Sequence, residues 1–253
     1  MNKSKGPIRG FFSWIGNLIK WTLIVALGGS ILMVLVYRFL PVPCSPLMFI
    51  RCYEQVSRGE QMRLHHEWVP LEDMSPDLPL AVWSTEDQNF LIHHGFDWDA
   101  IEKVMKEREE GKRFRGGSTI SQQTAKNVFL WPTSSQSTAG WIRKGIEAYF
   151  TVLIEFMWDK QRIMEVYLNT IEMGDGIYGA QAVAHEHFGC EASQLTRNQC
   201  ALIAASLPNP LKMDSAHPSR YMYRRQNQVL KQMKWLGHFP QRGEDSESDA
   251  SSQ

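Results

Sequence analysis

The chain has 253 residues, 43% of them hydrophobic, enough for one domain with a core and too few for two large ones. Its 27 basic and 27 acidic residues cancel, which removes any general attraction to nucleic acid. The charge is uneven, however: residues 1–20 hold Lys3, Lys5, Arg9 and Lys20 with no acid, and residues 241–253 are nearly free of apolar side chains, as expected of a disordered tail.

Trp21 to Tyr37 is uncharged, and Leu18, Ile19, Phe39 and Leu40 extend the apolar run. A membrane span needs about 17–25 predominantly apolar residues, so residues 21–40 are predicted to be a transmembrane helix. Trp21 and Tyr37 suit the two interfaces, and the basic flank stays on the cytoplasmic side. Residues 1–20 are then a cytoplasmic segment, residues 41–240 a periplasmic domain, and 241–253 the tail. No small-x-small site follows the run, which argues against a cleaved signal peptide. Four cysteines are compatible with Cys44–Cys52 and Cys190–Cys200 bridges or with free thiols.

Residues 41–80 read as a connector with short elements, with Pro70, Pro76 and Pro79 breaking any long helix and His65-His66 at the surface. Leu80 to Trp83 is either a short strand or the end of a helix. Asp99, with Glu102 three residues on, reads as a capping box for a helix from Ala100 to Glu110 that stops at Gly111. The same cap explains Asp97-Trp98-Asp99 without a metal. A basic, Gly-rich loop follows, Lys112 to Gly117, and leads into Ser118-Thr119, which cap the next helix. Such a helix start favours an anion, and Gln122 and Lys126 share one of its faces. No Gly-Lys-Ser/Thr follows, so the loop is no nucleotide P-loop.

Trp131-Pro132 ends that helix, and Thr133 to Gly140 is a loop. Trp141 to Trp158 is predicted as a buried helix carrying Arg143, Lys144 and Glu147. Lys160 to Asn169 is a helix with Ile163, Val166, Tyr167 and Thr170 inward. Gly174, Gly176 and Gly179 break the chain around Tyr178, and Ala180 to Phe188 is a small-residue helix. His185-Glu186-His187 lacks zinc-protease spacing and is read as surface. Arg197 to Leu207 is a buried helix, and Ser219 to Leu236 an amphipathic, basic one. The adjacent carboxylates Glu86 and Asp87, before Phe90 and His93-His94-Gly95, are the strongest candidates for chemistry, because like charges that close resist ionising together.

Four segments in order resemble the peptidoglycan glycosyltransferases, glycosyltransferase family 51. They are Glu86-Asp87-x-x-Phe90-x-x-His93-x-Gly95, Gly116 to Gln123, Arg143-Lys144-x-x-Glu147, and Lys160 to Asn169. The similarity runs over roughly residues 42–236. No Ser-x-x-Lys or Lys-Thr-Gly signature of a transpeptidase is present, which points to a monofunctional member. Ala139 stands where members often have Arg, and Gln181 where they usually have Glu.

The resemblance implies a mostly α fold: one lysozyme-like helical glycosyltransferase domain with a smaller membrane-proximal jaw, after one transmembrane helix. It implies an enzyme joining lipid II to a growing glycan-polyprenyl pyrophosphate at the inner membrane, with cell division or elongation proteins as candidate partners. Glu86 and Glu147 are then catalytic, Glu86 as general base. Asp87, Gly116, Ser118, Thr119, Gln122, Gln123, Lys126, Asn127, Arg143, Lys144 and Asn169 are substrate-binding. No cofactor is required, although a divalent cation, Mg or Mn, bound with the pyrophosphate fits. The competing readings are a lysozyme-like hydrolase and an inactive cell-wall scaffold.

Overall fold

The structure is a computed structural model that describes residues 7–110, 117–132 and 138–241. The predicted Gly111 stop, the loop 112–116, most of the loop 133–140 and the tail beyond Gln241 lie outside the described residues. The chain forms two compact units divided between Leu40 and Pro41.

The first unit is one helix, α1 (Pro7–Tyr37). Its segment Ser13–Tyr37 contains an 18-residue window with a mean hydropathy of 2.1 and is 25 residues long. At 1.5 Å per residue that is about 37 Å, long enough to cross a hydrocarbon core of about 30 Å. Lys20 falls inside the helix rather than at its boundary, and Phe39 and Leu40 lie beyond its end.

The second unit is mostly helical: α2 (Pro46–Ser57), α3 (Asp77–Glu86), α4 (Trp98–Glu109), α5 (Ile120–Phe129), α6 (Thr138–Met157), α7 (Lys160–Thr170), α8 (Gly179–Val183), α9 (Arg197–Ser206) and α10 (Arg220–Leu236). Three short strands, β1 (His65–His66), β2 (Glu172–Gly174) and β3 (Ile177–Tyr178), form a sheet in the order β1-β3-β2. β1 runs parallel to β3, and β2 pairs antiparallel with it. α7 is buried along its whole length and forms the axis of the core. Fully burying one of its Leu, Ile or Val side chains contributes about 1.5–3 kcal/mol. α9 and α10 pack together, and both pack on α3.

Several local expectations need correction. The stretch 41–80 holds a full helix, α2, which Pro46 starts at the first helical position, where a missing N–H costs nothing. Pro79 sits in the first turn of α3 for the same reason and does not break it, so Leu80 to Trp83 is helical. The cap of α4 is Asp97, which accepts from Ala100 N at 2.9 Å, while Glu102 pairs with Lys106 instead. His65-His66 is a strand rather than a loose surface pair: His66 Nε2 lies 3.1 Å from Asn169 O, and burial lowers its pKa. α6 is buried on one side only, along Glu147, Phe150, Thr151 and Ile154. Its other side exposes Trp141, Ile142, Val152 and Phe156. His187 is half-buried, with Nδ1 2.7 Å from Ser215 Oγ. All four cysteines are free.

Candidate active site

Glu86 is the last residue of α3, and Asp87 leaves the helix in a non-helical conformation. The structure gives these neighbours opposite fates. Asp87 is buried; its Oδ2 accepts from Ile120 N at 3.0 Å, and both its oxygens lie within 3.0 Å of His93 Nε2. His93 Nδ1 in turn accepts from Gly95 N at 3.1 Å, which places the ring proton on Nε2, facing Asp87. Gly95 has φ +87°, and a Cβ there would stand 2.8 Å from Thr151 Cγ2, so only glycine fits. Gly95 O accepts from Thr119 Oγ1 at 2.7 Å, and His93 O accepts from Lys160 Nζ at 2.7 Å. The first motif is therefore a tie between α3, α5, α6 and α7.

Four of the residues expected to bind substrate, Asp87, Thr119, Gln122 and Asn169, bond to the protein itself. The anion favoured by the start of α5 is the chain's own Asp87 carboxylate, bound to the first free N–H of the helix. Thr119 is the cap and Gln122 closes the capping box: Thr119 N donates to Gln122 Oε1 at 3.0 Å, and Gln122 N donates to Thr119 Oγ1 at 3.2 Å. Both are buried, and their polar atoms serve the helix start. Asn169 is fully buried; it accepts from Val69 N at 2.9 Å and donates to Val69 O and Glu165 O, each at 2.8 Å. It fixes the chain before α3 and leaves no donor for a ligand. Gly116 lies outside the described residues.

Glu86 is left for chemistry. It borders a recess of about 450 Å³ with Thr85, Asn89, Lys103, Gly117 and Ser118. Gln123 Nε2 donates to its Oε2 at 3.0 Å, and Tyr167 Oη, within 3.4 Å of Gln123 Oε1, fixes which way that amide points. Burial raises the pKa of Glu86 above the usual carboxylate range. Gln123, Arg225 and Lys126 pull it back, and Asp87 pushes it up. Burial, with the nearby Glu86 and Asp87 charges, holds the Tyr167 phenol well above its ordinary pKa, so it stays a donor.

One turn further along α5, Lys126 meets α6. Arg143 lies 3.9 Å from Glu147, and Lys144 is ion-paired with the same carboxylate. Burial lowers the pKa of Lys126; Glu147 raises it, and Arg143 and Lys144 lower it. Three cations thus surround one carboxylate. A recess of about 240 Å³ opens here, lined by Lys126, Asn127, Arg143 and Trp131, and Arg143 Nε is buried without a hydrogen-bond partner among the described residues. Such an excess of positive charge around a recess is complementary to an anion. No cluster of three or more His, Cys, Asp or Glu side chains among the described residues could hold a metal. Arg225, on α10, was not singled out by the sequence; an acid-free helix with five cations was its only signal.

The family model described as Transglycosylase matches residues 54–234, which spans both recesses. The chain belongs to the transglycosylase family. Proteins named biosynthetic peptidoglycan transglycosylase are similar over most of their length. The one from Bacteroides thetaiotaomicron is 53% identical over 92% of this chain and 91% of its own. Those from Bdellovibrio bacteriovorus and Caulobacter vibrioides are 49% and 48% identical, over 86% and 85% of this chain and 83% and 89% of their own. The expected family and the mostly α architecture are borne out, and family membership makes the chain a glycosyltransferase.

Proposed function

We propose that the chain polymerises peptidoglycan glycan strands from lipid II at the outer face of the inner membrane. The acceptor's 4-hydroxyl oxygen attacks the anomeric carbon of the lipid-linked donor and forms a β-1,4 link. The bond from that carbon to the pyrophosphate oxygen breaks, and its electron pair leaves with polyprenyl pyrophosphate. The configuration inverts from α to β, and the hydroxyl proton passes to Glu86. Burial makes Glu86 a stronger base than an exposed carboxylate, and Gln123 orients it. Lys126, Arg143 and Lys144 meet the negative charge that develops on the pyrophosphate. Asn127 and Ser118 border the two recesses as substrate contacts.

The observation that carries this reading is that α5 joins two features: Gln123 holds the Glu86 carboxylate at the end of α3, and Lys126, one turn on, lines the cation-rich recess. A lysozyme-like hydrolase would need a second carboxylate free to reach the sugar ring or its attacking water, and Glu147 is held by Lys144 and Arg143. Glu147 instead spaces the cations and orients the acceptor. For the same reason a divalent ion, Mg or Mn, would arrive with the pyrophosphate rather than be held by the protein. The basic flank of α1 supports a cytoplasmic N-terminus with the second unit in the periplasm.

The test is polymerisation of lipid II by the purified full-length chain and its Glu86→Gln variant. The variant is expected to fold and to lose about 10²–10⁴ in turnover. Near-normal glycan yield would remove Glu86 as the base, and release of sugars from finished peptidoglycan would favour the hydrolase.

A further inference from the structure

The last helix carries surface charge that the transfer reaction does not use. On α10, Arg220, Arg224, Lys231 and Lys234 are exposed, and at 100° per residue they fall within about 80° of arc. Met222, Val229 and Met233 lie on the opposite side and are buried. The four cations thus form a straight stripe, about 21 Å long at 1.5 Å per residue. None of them forms an ion pair with the described residues. Their placement works against the helix. Arg220 and Arg224 are four apart, and Lys231 and Lys234 three apart, spacings at which like charges destabilise. The first turn holds Arg220 and no acid, the reverse of what the helix dipole favours. An anionic partner lying on the stripe relieves all of this.

We propose that the chain's own acidic segment, residues 244–249, docks on this stripe and screens it from other anions. The segment places Glu244, Asp245, Glu247 and Asp249 within six residues, with no basic residue among them. Four carboxylates thus match four cations. The reach agrees as well. Gly237, with φ +87°, ends α10, and Phe239 is buried against Trp83 of α3, the helix on which α10 packs. The described chain therefore ends beside α10. Glu244 is three residues beyond Gln241 and Asp249 eight, so they reach up to about 10 Å and about 27 Å, enough to lie along the whole stripe. A tether this short gives an effective concentration on the order of millimolar, at which individually weak exposed ion pairs add up. The contact is a set of exchanging ion pairs and requires no fold of the segment. Any other anionic partner gains the stripe only by displacing residues 244–249.

The test treats the full-length chain, in neutral detergent, with a carbodiimide that joins carboxylates to lysine amines, and maps the joined peptides by mass spectrometry. Joins from residues 244–249 are expected on Lys231 and Lys234 within single chains. They should fall several-fold at about 0.5 M salt, where the Debye length is about 4 Å. A variant that neutralises the segment carries Glu244→Gln, Asp245→Asn, Glu247→Gln and Asp249→Asn together. In it, acetylation of Lys231 and Lys234 should quicken by about threefold, with Lys103 on α4 unchanged. Joins made as readily to Lys103 and Lys106 as to Lys231 and Lys234, or acetylation rates unmoved by the variant, would overturn the proposal. Joins found only in covalent dimers would overturn it too, because they assign the segment to a second copy. So would shielding of both lysines that appears only with vesicles of anionic phospholipid, which assigns the stripe to a lipid surface.

Discussion

The start of α5 and the turn that follows it are built from the same kinds of residue and behave oppositely. At the start, Asp87, His93, Thr119 and Gln122 bond to one another and to the start of the helix. One turn on, Lys126, Arg143 and Lys144 outnumber Glu147, and Arg143 Nε has no partner among the described residues. Polar groups that close on themselves build a scaffold; polar groups in excess of their partners wait for a ligand. Glu86, at the junction, is half-buried, held by one amide, and borders the recess.

The sharpest way to break this comparison is Asp87→Ala. It strands the ring N–H of His93 and the N–H of Ile120 in the interior, and removing one side of a buried pair costs about 3–5 kcal/mol. Thermal or urea unfolding should register this even with substrate absent; a loss confined to activity would place Asp87 on the ligand side. Lys126→Met is the converse. It should cost about 10²–10³ in turnover of lipid II while leaving the fold as stable or more so, since it removes a buried cation. A destabilised but active variant would reverse the assignment.

The smallest effect concerns acidity. The folded-state pKa of Glu86 lies above its unfolded value of about 4.5, so the folded chain binds its proton more tightly. The stability this gives is full below that unfolded value and is lost as pH rises through the raised folded value. Glu86→Gln should therefore melt higher than wild type at neutral pH, with the gain vanishing as pH falls below about 4.5. A gain independent of pH would mean that the carboxyl is not strained by burial.

Element types and order were legible because apolar spacing and punctuating Gly and Pro report local structure directly. α7, α9 and α10 follow their patterns to within a residue or so at either end. The four motifs located the site, but their residues did not declare which would be scaffold. Asp87 and Glu86 are chemically almost alike, and tertiary partners tell them apart: the His93 ring and the N–H of Ile120, 33 positions away. The bonds of Asn169 were illegible for the same reason, since its partner is the backbone of Val69, 100 positions away. Asp97 rather than Asp99 caps α4 because the helix begins at Trp98, two residues before the start that the Asp99–Glu102 spacing implied.

The one-sided burial of α6 has a practical outcome. Trp141, Val152 and Phe156 are 77%, 55% and 87% exposed within the second unit itself. A version beginning at Pro41 would keep this greasy strip after losing α1, so cutting away the hydrophobic leader should still give material that clumps or demands detergent in purification.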